Sequence, residues 1–151
     1  MTASPTPPRL AVVVSQFNQE VTGGLLAGTR RELEERGVAL LDGDIFSAPG
    51  AFEIPLLAQT LAKSGRYAGV ICLGCVIKGD TAHFEFISLG AATGLMQATL
   101  ATGVPITFGI LTTYTDEQAL VRSRDDAANK GREAAAACVE TLATLNKIKA
   151  G

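Results

Sequence analysis

Four short runs rich in apolar residues divide the chain: Leu10 to Val14, Leu40 to Phe46, Ala68 to Ile77 and Pro105 to Leu111. Nearly continuous runs of this length suit strands covered on both faces, as the strands of a parallel sheet are. The segments between them change period. Leu25, Leu26, Thr29 and Leu33 form a helical stripe that stops at Gly37, and Ile54, Leu57, Ala58 and Leu61 form another that stops at Gly65. Phe84, Ile87, Ala91, Leu95 and Ala98 make a third, closing at Gly103. Each glycine stands where a helix wants a left-handed C-terminal cap. Thr115 and Gln118 have the spacing of a capping box for a short helix. A final helix is expected along the stripe Ala135, Cys138, Val139, Leu142 and Leu145.

Strand and helix therefore alternate four times, which predicts parallel strands joined by right-handed crossovers. The expected fold class is α/β: a three-layer α/β/α sandwich around a four-stranded parallel sheet, of flavodoxin-like type. One domain over residues 9–151 is expected. An extended or mobile arm should precede it over residues 1–8, because Pro5, Pro7 and Pro8 lack the donors of a strand ladder. No repeat, low-complexity segment or linker interrupts the pattern. Open sheets of this kind bind ligands beyond the carboxyl ends of their strands, so chemistry is to be sought there.

Composition narrows the partners. A chain of 151 residues with 47% hydrophobic content fits one core, burying roughly 68–70% of the unfolded surface. A formal charge of -2 with scattered Lys and Arg provides no basic stripe, which argues against nucleic acid. Three cysteines cannot all pair, and the first residues show no charged leader before an apolar stretch, so a reducing, cytoplasmic location is expected. No run reaches the roughly 20 apolar residues that cross a bilayer, and a soluble protein without membrane partners is expected.

The strand ends gather polar and aromatic groups. Strand one runs into SQFN, strand two into SAPGAFEIP, strand three into VIKGDTAH, and strand four through TFGILTTYT. Phe17 and Phe52 could stack on a flat heterocycle or simply cover the core. After strand three, Gly79 should let the backbone turn and Asp80 or Thr81 should cap the next helix. The free N–H groups at that helix start could hold an anion such as phosphate. His83, the only histidine, follows in the first turn as a candidate proton carrier or a structural residue. Cys72 and Cys75 form C-x-x-C, but inside a strand positions three apart face opposite sides, unlike a redox pair or a zinc site. Neither a G-x-S-x-G elbow nor a Walker A loop occurs, and no G-x-G-x-x-G follows a strand. Arg122 and Lys130 could neutralise a phosphate or belong to a solvated helix face.

In order, FN, PGAFEIP, GCVIKGDTAHFEF, PITFGILTT, TDEQALVR and NKGREAA resemble the lumazine synthase family, from about Arg9 to the C-terminus. The resemblance implies condensation of 5-amino-6-(ribitylamino)uracil with 3,4-dihydroxy-2-butanone 4-phosphate to 6,7-dimethyl-8-ribityllumazine, phosphate and water. These are small-molecule substrates, and neither metal nor cofactor takes part. It implies that Phe17 stacks on the pyrimidine, that Ala51, Phe52 and Glu53 receive the ribityl chain, and that Cys75, Val76 and Ile77 line the ring pocket. Asp80 and Thr81 would form the phosphate turn and His83 would transfer protons. From a neighbouring subunit, Phe108 would close over the ring, Arg122 would bind phosphate, and Lys130 would lie nearby. It further implies at least a homopentamer with sites at subunit interfaces, and riboflavin synthase as a candidate partner. The chain departs from the family at Ala82, where Pro is common, and at Arg132, where a large aromatic is frequent. A non-catalytic flavin- or lumazine-binding protein, or a structural shell protein of the same fold, is the alternative.

Overall fold

The computed structural model describes residues 8–151, so the expected proline arm lies, except for Pro8, outside the described residues. Among the described residues four strands and five α-helices follow one another, alternating as far as β4: β1 (Leu10–Ser15), α1 (Gln19–Glu35), β2 (Ile45–Ala48), α2 (Ile54–Lys63), β3 (Gly69–Ile77), α3 (His83–Thr102), β4 (Ile106–Thr113), α4 (Asp116–Arg122) and α5 (Lys130–Ala150). The strands form one sheet in the order β2-β1-β3-β4. All its pairings are parallel, with Val12 opposite both Ile45 and Ile71, and Cys72 opposite Phe108.

Alternation along the strands builds two cores. Ala11, Val13, Val70, Cys72 and Ile110 point to one face and pack with Ile54 and Leu61 of α2 and Ala91 and Leu95 of α3. Leu10, Val12, Ile71, Leu73 and Leu111 point to the other, against Leu25 of α1, Ala119 of α4 and Cys138 of α5. The predicted three-layer sandwich is therefore present. Leu25, Ile54, Ile71 and Leu73 are fully buried, each adding about 1.5–3 kcal/mol.

The second strand differs from its expected span of Leu40 to Phe46. Residues Asp42–Asp44 form a 3-10 turn, and β2 begins only at Ile45. The cause is Asp44, whose buried carboxylate accepts from Arg9, from the Tyr67 hydroxyl and from the Leu41 N–H. A strand through this position would break those bonds. The three helix-closing glycines behave as predicted, with φ of 73°, 77° and 69° at Gly37, Gly65 and Gly103. At Thr115 the capping box is half formed: its hydroxyl accepts from Gln118 N, but the Gln118 side chain accepts from Tyr114 N, one residue earlier.

Two helices have unusual surfaces. Helices α1 and α5 meet through Gly28 and Gly131, where a Cβ would collide with the Asn129 side chain and the Leu25 carbonyl. On α3, Phe84, Ile87, Ala91, Leu95 and Ala98 face the sheet. Phe86, Leu89, Met96 and Leu100 lie exposed on the far side, so this helix is apolar all round.

Candidate active site

The strand order places β1 between β2 and β3, and the chain leaves β1 towards β2 but leaves the adjacent β3 the opposite way, towards β4. This is a topological switch point, where a crevice opens beyond the strand ends. Beyond β1 the backbone turns through Asn18 at φ 58° and ψ 59°, a left-handed conformation that no other non-glycine described residue adopts. Asparagine tolerates that region better than most side chains. The Asn18 carbonyl accepts from the N–H groups of Val21 and Thr22 and starts α1, leaving Phe17 61% exposed. Beyond β2, a 3-10 turn at Ala51–Glu53 buries Ala51 and leaves Phe52 58% exposed. Beyond β3, five residues lead to His83, the first residue of α3.

These three strand ends enclose a pocket of about 370 Å³. Phe17, Ala51, Phe52 and Glu53 border it with Cys75, Val76, Ile77 and His83. Eight residues singled out in the sequence thus meet at one cavity. Pro49, Gly50 and Ile87 also line it; the sequence places them in a loop motif and a helical stripe but not in the site, because a proline, a glycine and an aliphatic side chain carry no chemical signal.

The turn before α3 departs from expectation. Its N-cap position is Ala82, and neither Asp80 nor Thr81 supplies a side-chain cap. Instead the Thr81 hydroxyl accepts from the His83 N–H at 3.3 Å, closing a tighter local turn. Gly79 has no left-handed φ and open space where a Cβ would lie, so this backbone does not demand glycine there.

Phe108, Arg122 and Lys130 are not brought to His83. They border a separate cavity of about 280 Å³ beside the edge strand β4, and the two cavities have no lining residue in common. Arg122 donates to the Gln118 carbonyl at 3.0 Å, and the Lys130 ammonium pairs with Glu133 at 2.8 Å. Lys130 is placed by Asn129, the buried N-cap of α5. The Asn129 carboxamide accepts from Gly131 N and Arg132 N and donates to the Gly24 and Arg124 carbonyls. An Asn just before the first helical residue is a readable cap signal, but its ties to α1 are tertiary.

The thiols are inert in character. Burial pushes Cys75 up to about 11 and Cys138 up to about 12, and raises Cys72 further. Cys72 and Cys75 belong to the cores on opposite faces of the sheet, as their spacing predicts.

Known proteins match most of the length of this sequence. The family model described as 6,7-dimethyl-8-ribityllumazine synthase matches residues 7–146. The chain belongs to that family. A 6,7-dimethyl-8-ribityllumazine synthase 1 from Caulobacter vibrioides is 66% identical over 145 residues, covering 96% of this chain and 95% of the relative. The 6,7-dimethyl-8-ribityllumazine synthase of Salinibacter ruber is 46% identical over 141 residues, or 93% and 90% of the two chains. That of Deinococcus radiodurans is 44% identical over 141 residues, or 93% and 91%.

Within this family member, Arg132 has a structural account. Its guanidinium donates to Glu32 at 3.1 Å and to Glu35 on α1, tying α5 to α1 away from both cavities. Among the described residues no helix is long and apolar enough to cross a membrane.

Proposed function

We propose that the pocket beyond β1, β2 and β3 is the site at which this lumazine synthase family member joins 5-amino-6-(ribitylamino)uracil to 3,4-dihydroxy-2-butanone 4-phosphate. The products are 6,7-dimethyl-8-ribityllumazine, phosphate and water. The observation that carries the assignment is the convergence of two exposed phenyl rings, a carboxylate and the only histidine on one cavity. Phe17 offers a face to the pyrimidine. Phe52, Ala51 and Glu53 receive the ribityl chain, and the ends of β3 at Cys75, Val76 and Ile77 border the ring.

Imine formation, loss of phosphate, tautomerisation, ring closure and dehydration all move protons, and His83 is placed to carry them. Such acid-base help is worth about 10²–10⁴ in rate. Holding two substrates in register contributes as much as about 7–11 kcal/mol, so positioning should outweigh proton transfer. At the start of α3, after Asp80 and Thr81, the N-cap Ala82 offers no side-chain acceptor and only the His83 N–H is taken by Thr81. This supports phosphate binding there, because the remaining N–H groups of a first helical turn and the positive end of its dipole favour anions.

Arg122, Lys130 and Phe108 complete the reaction only if a neighbouring subunit presents them. Their separation from His83 within one chain and the exposed apolar side of α3 support a pentamer-based assembly with shared sites. A cytoplasmic location belongs to the same reading, supported by three free, buried cysteines.

The test is the rate of lumazine formation with protein, without protein and with His83→Ala. Saturable acceleration that falls by about 10²–10⁴-fold in the variant without reaching the blank is the expected result. A rate equal to the protein-free blank, with tight binding of lumazine or riboflavin, would overturn it and leave a binding protein.

A further inference from the structure

Helix α3 carries glycine at positions 90 and 94, both in its interior, where glycine is destabilising relative to alanine. Both residues face the segment that leaves β2. A Cβ at Gly90 would lie 2.8 Å from Cε1 and 3.3 Å from Cδ1 of Phe52, well inside van der Waals contact. A Cβ at Gly94, one turn later, would lie 2.8 Å and 2.9 Å from Cβ and Cγ of Pro55. The two missing side chains form a notch that receives the Phe52 ring and the start of α2. The same helix presents His83 and Ile87 to the pocket. How closely Phe52 rests on α3 therefore sets the width of the cavity between its ring and His83.

We propose that Gly90 is a positioning residue for the pyrimidine and ribityl substrate: it lets the Phe52 ring lie against α3, and any side chain there moves that ring. This rests on the assignment of Phe52 to that substrate. The two glycines differ in what they meet. Phe52 is more than half exposed, so its ring can swing about the Cα–Cβ bond and relieve a contact at position 90 without unfolding anything. Pro55 is a rigid ring in the first turn of α2, so a methyl group at position 94 must push two helices apart. Gly90→Ala should act on the pocket, and Gly94→Ala on packing.

The experiment is a double-mutant cycle in the full chain with Gly90→Ala, Phe52→Ala and the double variant. It reads kcat, KM for each substrate, the dissociation constant of the lumazine product and the thermal midpoint. Gly90→Ala is expected to raise KM for 5-amino-6-(ribitylamino)uracil and the product dissociation constant about three- to tenfold, the range of one aromatic contact. KM for the butanone phosphate should hold, and the thermal midpoint should hold or rise slightly with the helix propensity gained. In the Phe52→Ala background the same substitution should add nothing, because groups that act through one another are not additive. An unchanged KM, or an equal effect with and without the Phe52 ring, would overturn the role of Gly90 while leaving Phe52 in place. If Phe52→Ala itself changes neither KM nor product binding, the assignment of Phe52 fails and the role of Gly90 falls with it. A lowered thermal midpoint with both KM values raised together would mark Gly90 as a packing residue only.

Discussion

The Tyr67 hydroxyl donates to the buried carboxylate of Asp44 at 3.0 Å, and both sit at the opposite end of the sheet from the pocket. Arg9 and the Leu41 N–H complete the cluster. Burial alone would push the Asp44 carboxyl up, but its hydrogen bonds from Arg9, Leu41 and Tyr67 outweigh this and hold it below the ordinary carboxylate range. A carboxyl whose folded pKa lies below its unfolded value stabilises fully above the unfolded value, and that contribution is lost as pH falls through the folded one. The thermal midpoint should therefore hold down to pH about 5 and drop below about 4. Asp44→Asn should flatten that acid-side slope and lower stability at neutral pH by about 1–3 kcal/mol. Urea unfolding from pH 3 to 8 measures both effects, and an unchanged slope in the variant would remove Asp44 from the account.

Asn129 fastens the second cavity. Its carboxamide makes two bonds as acceptor and two as donor while the residue is almost wholly buried. Asn129→Ala removes a helix cap and leaves the Gly24 and Arg124 carbonyls without this partner, at a combined cost of about 2–4 kcal/mol. Asn129→Asp keeps the cap and loses the donors, so it should fall between. Denaturant midpoints of the two variants rank the two contributions.

Arg122 should act on one substrate. A hydrogen bond to a charged group is worth about 1.5–3 kcal/mol, so Arg122→Ala should raise KM for the phosphorylated butanone by about ten- to a hundredfold. KM for the pyrimidine should stay within about twofold, and Arg122→Lys should recover only part, because it restores charge without the planar fork. Initial rates with each substrate varied in turn decide it, and an equal rise for both would contradict the assignment. Mixing Arg122→Ala with His83→Ala subunits should restore some activity, since a site that takes His83 from one and Arg122 from the other is intact.

Much of this was legible in the residues. The runs Leu10 to Val14 and Ala68 to Ile77 and the glycines at 37, 65 and 103 carry local signals, and the elements appear within one residue of where the sequence places them. The pocket followed because parallel strands put SQFN, PGAFE and KGDTAH at one edge. The start of β2 was not legible, because Asp44 draws its partners from Arg9 and Tyr67, far away in sequence. Asn129 as a fastening of α1 and the Gly90 contact with Phe52 are also tertiary. A glycine inside a helical stripe gives no sign of what will lie against it.

The exposed side of α3 makes the assembly testable. Phe86, Leu89, Met96 and Leu100 are 72%, 68%, 59% and 76% exposed, and spacings of three, seven and four residues keep them on one side of the helix. A contiguous apolar stripe of this kind marks an interface. Burying one Leu or Met side chain contributes about 1.5–3 kcal/mol, and a closed ring repeats that at every contact between subunits. Leu89→Glu with Met96→Glu should therefore shift the protein to smaller species in sedimentation velocity. The fold of each subunit should survive, because neither residue touches the sheet. Synthase activity should fall with the loss of assembly, since His83 and Arg122 border different cavities of one chain. An assembly that stays intact with both glutamates in place would sink the interface, and full activity in dissociated subunits would sink the shared site.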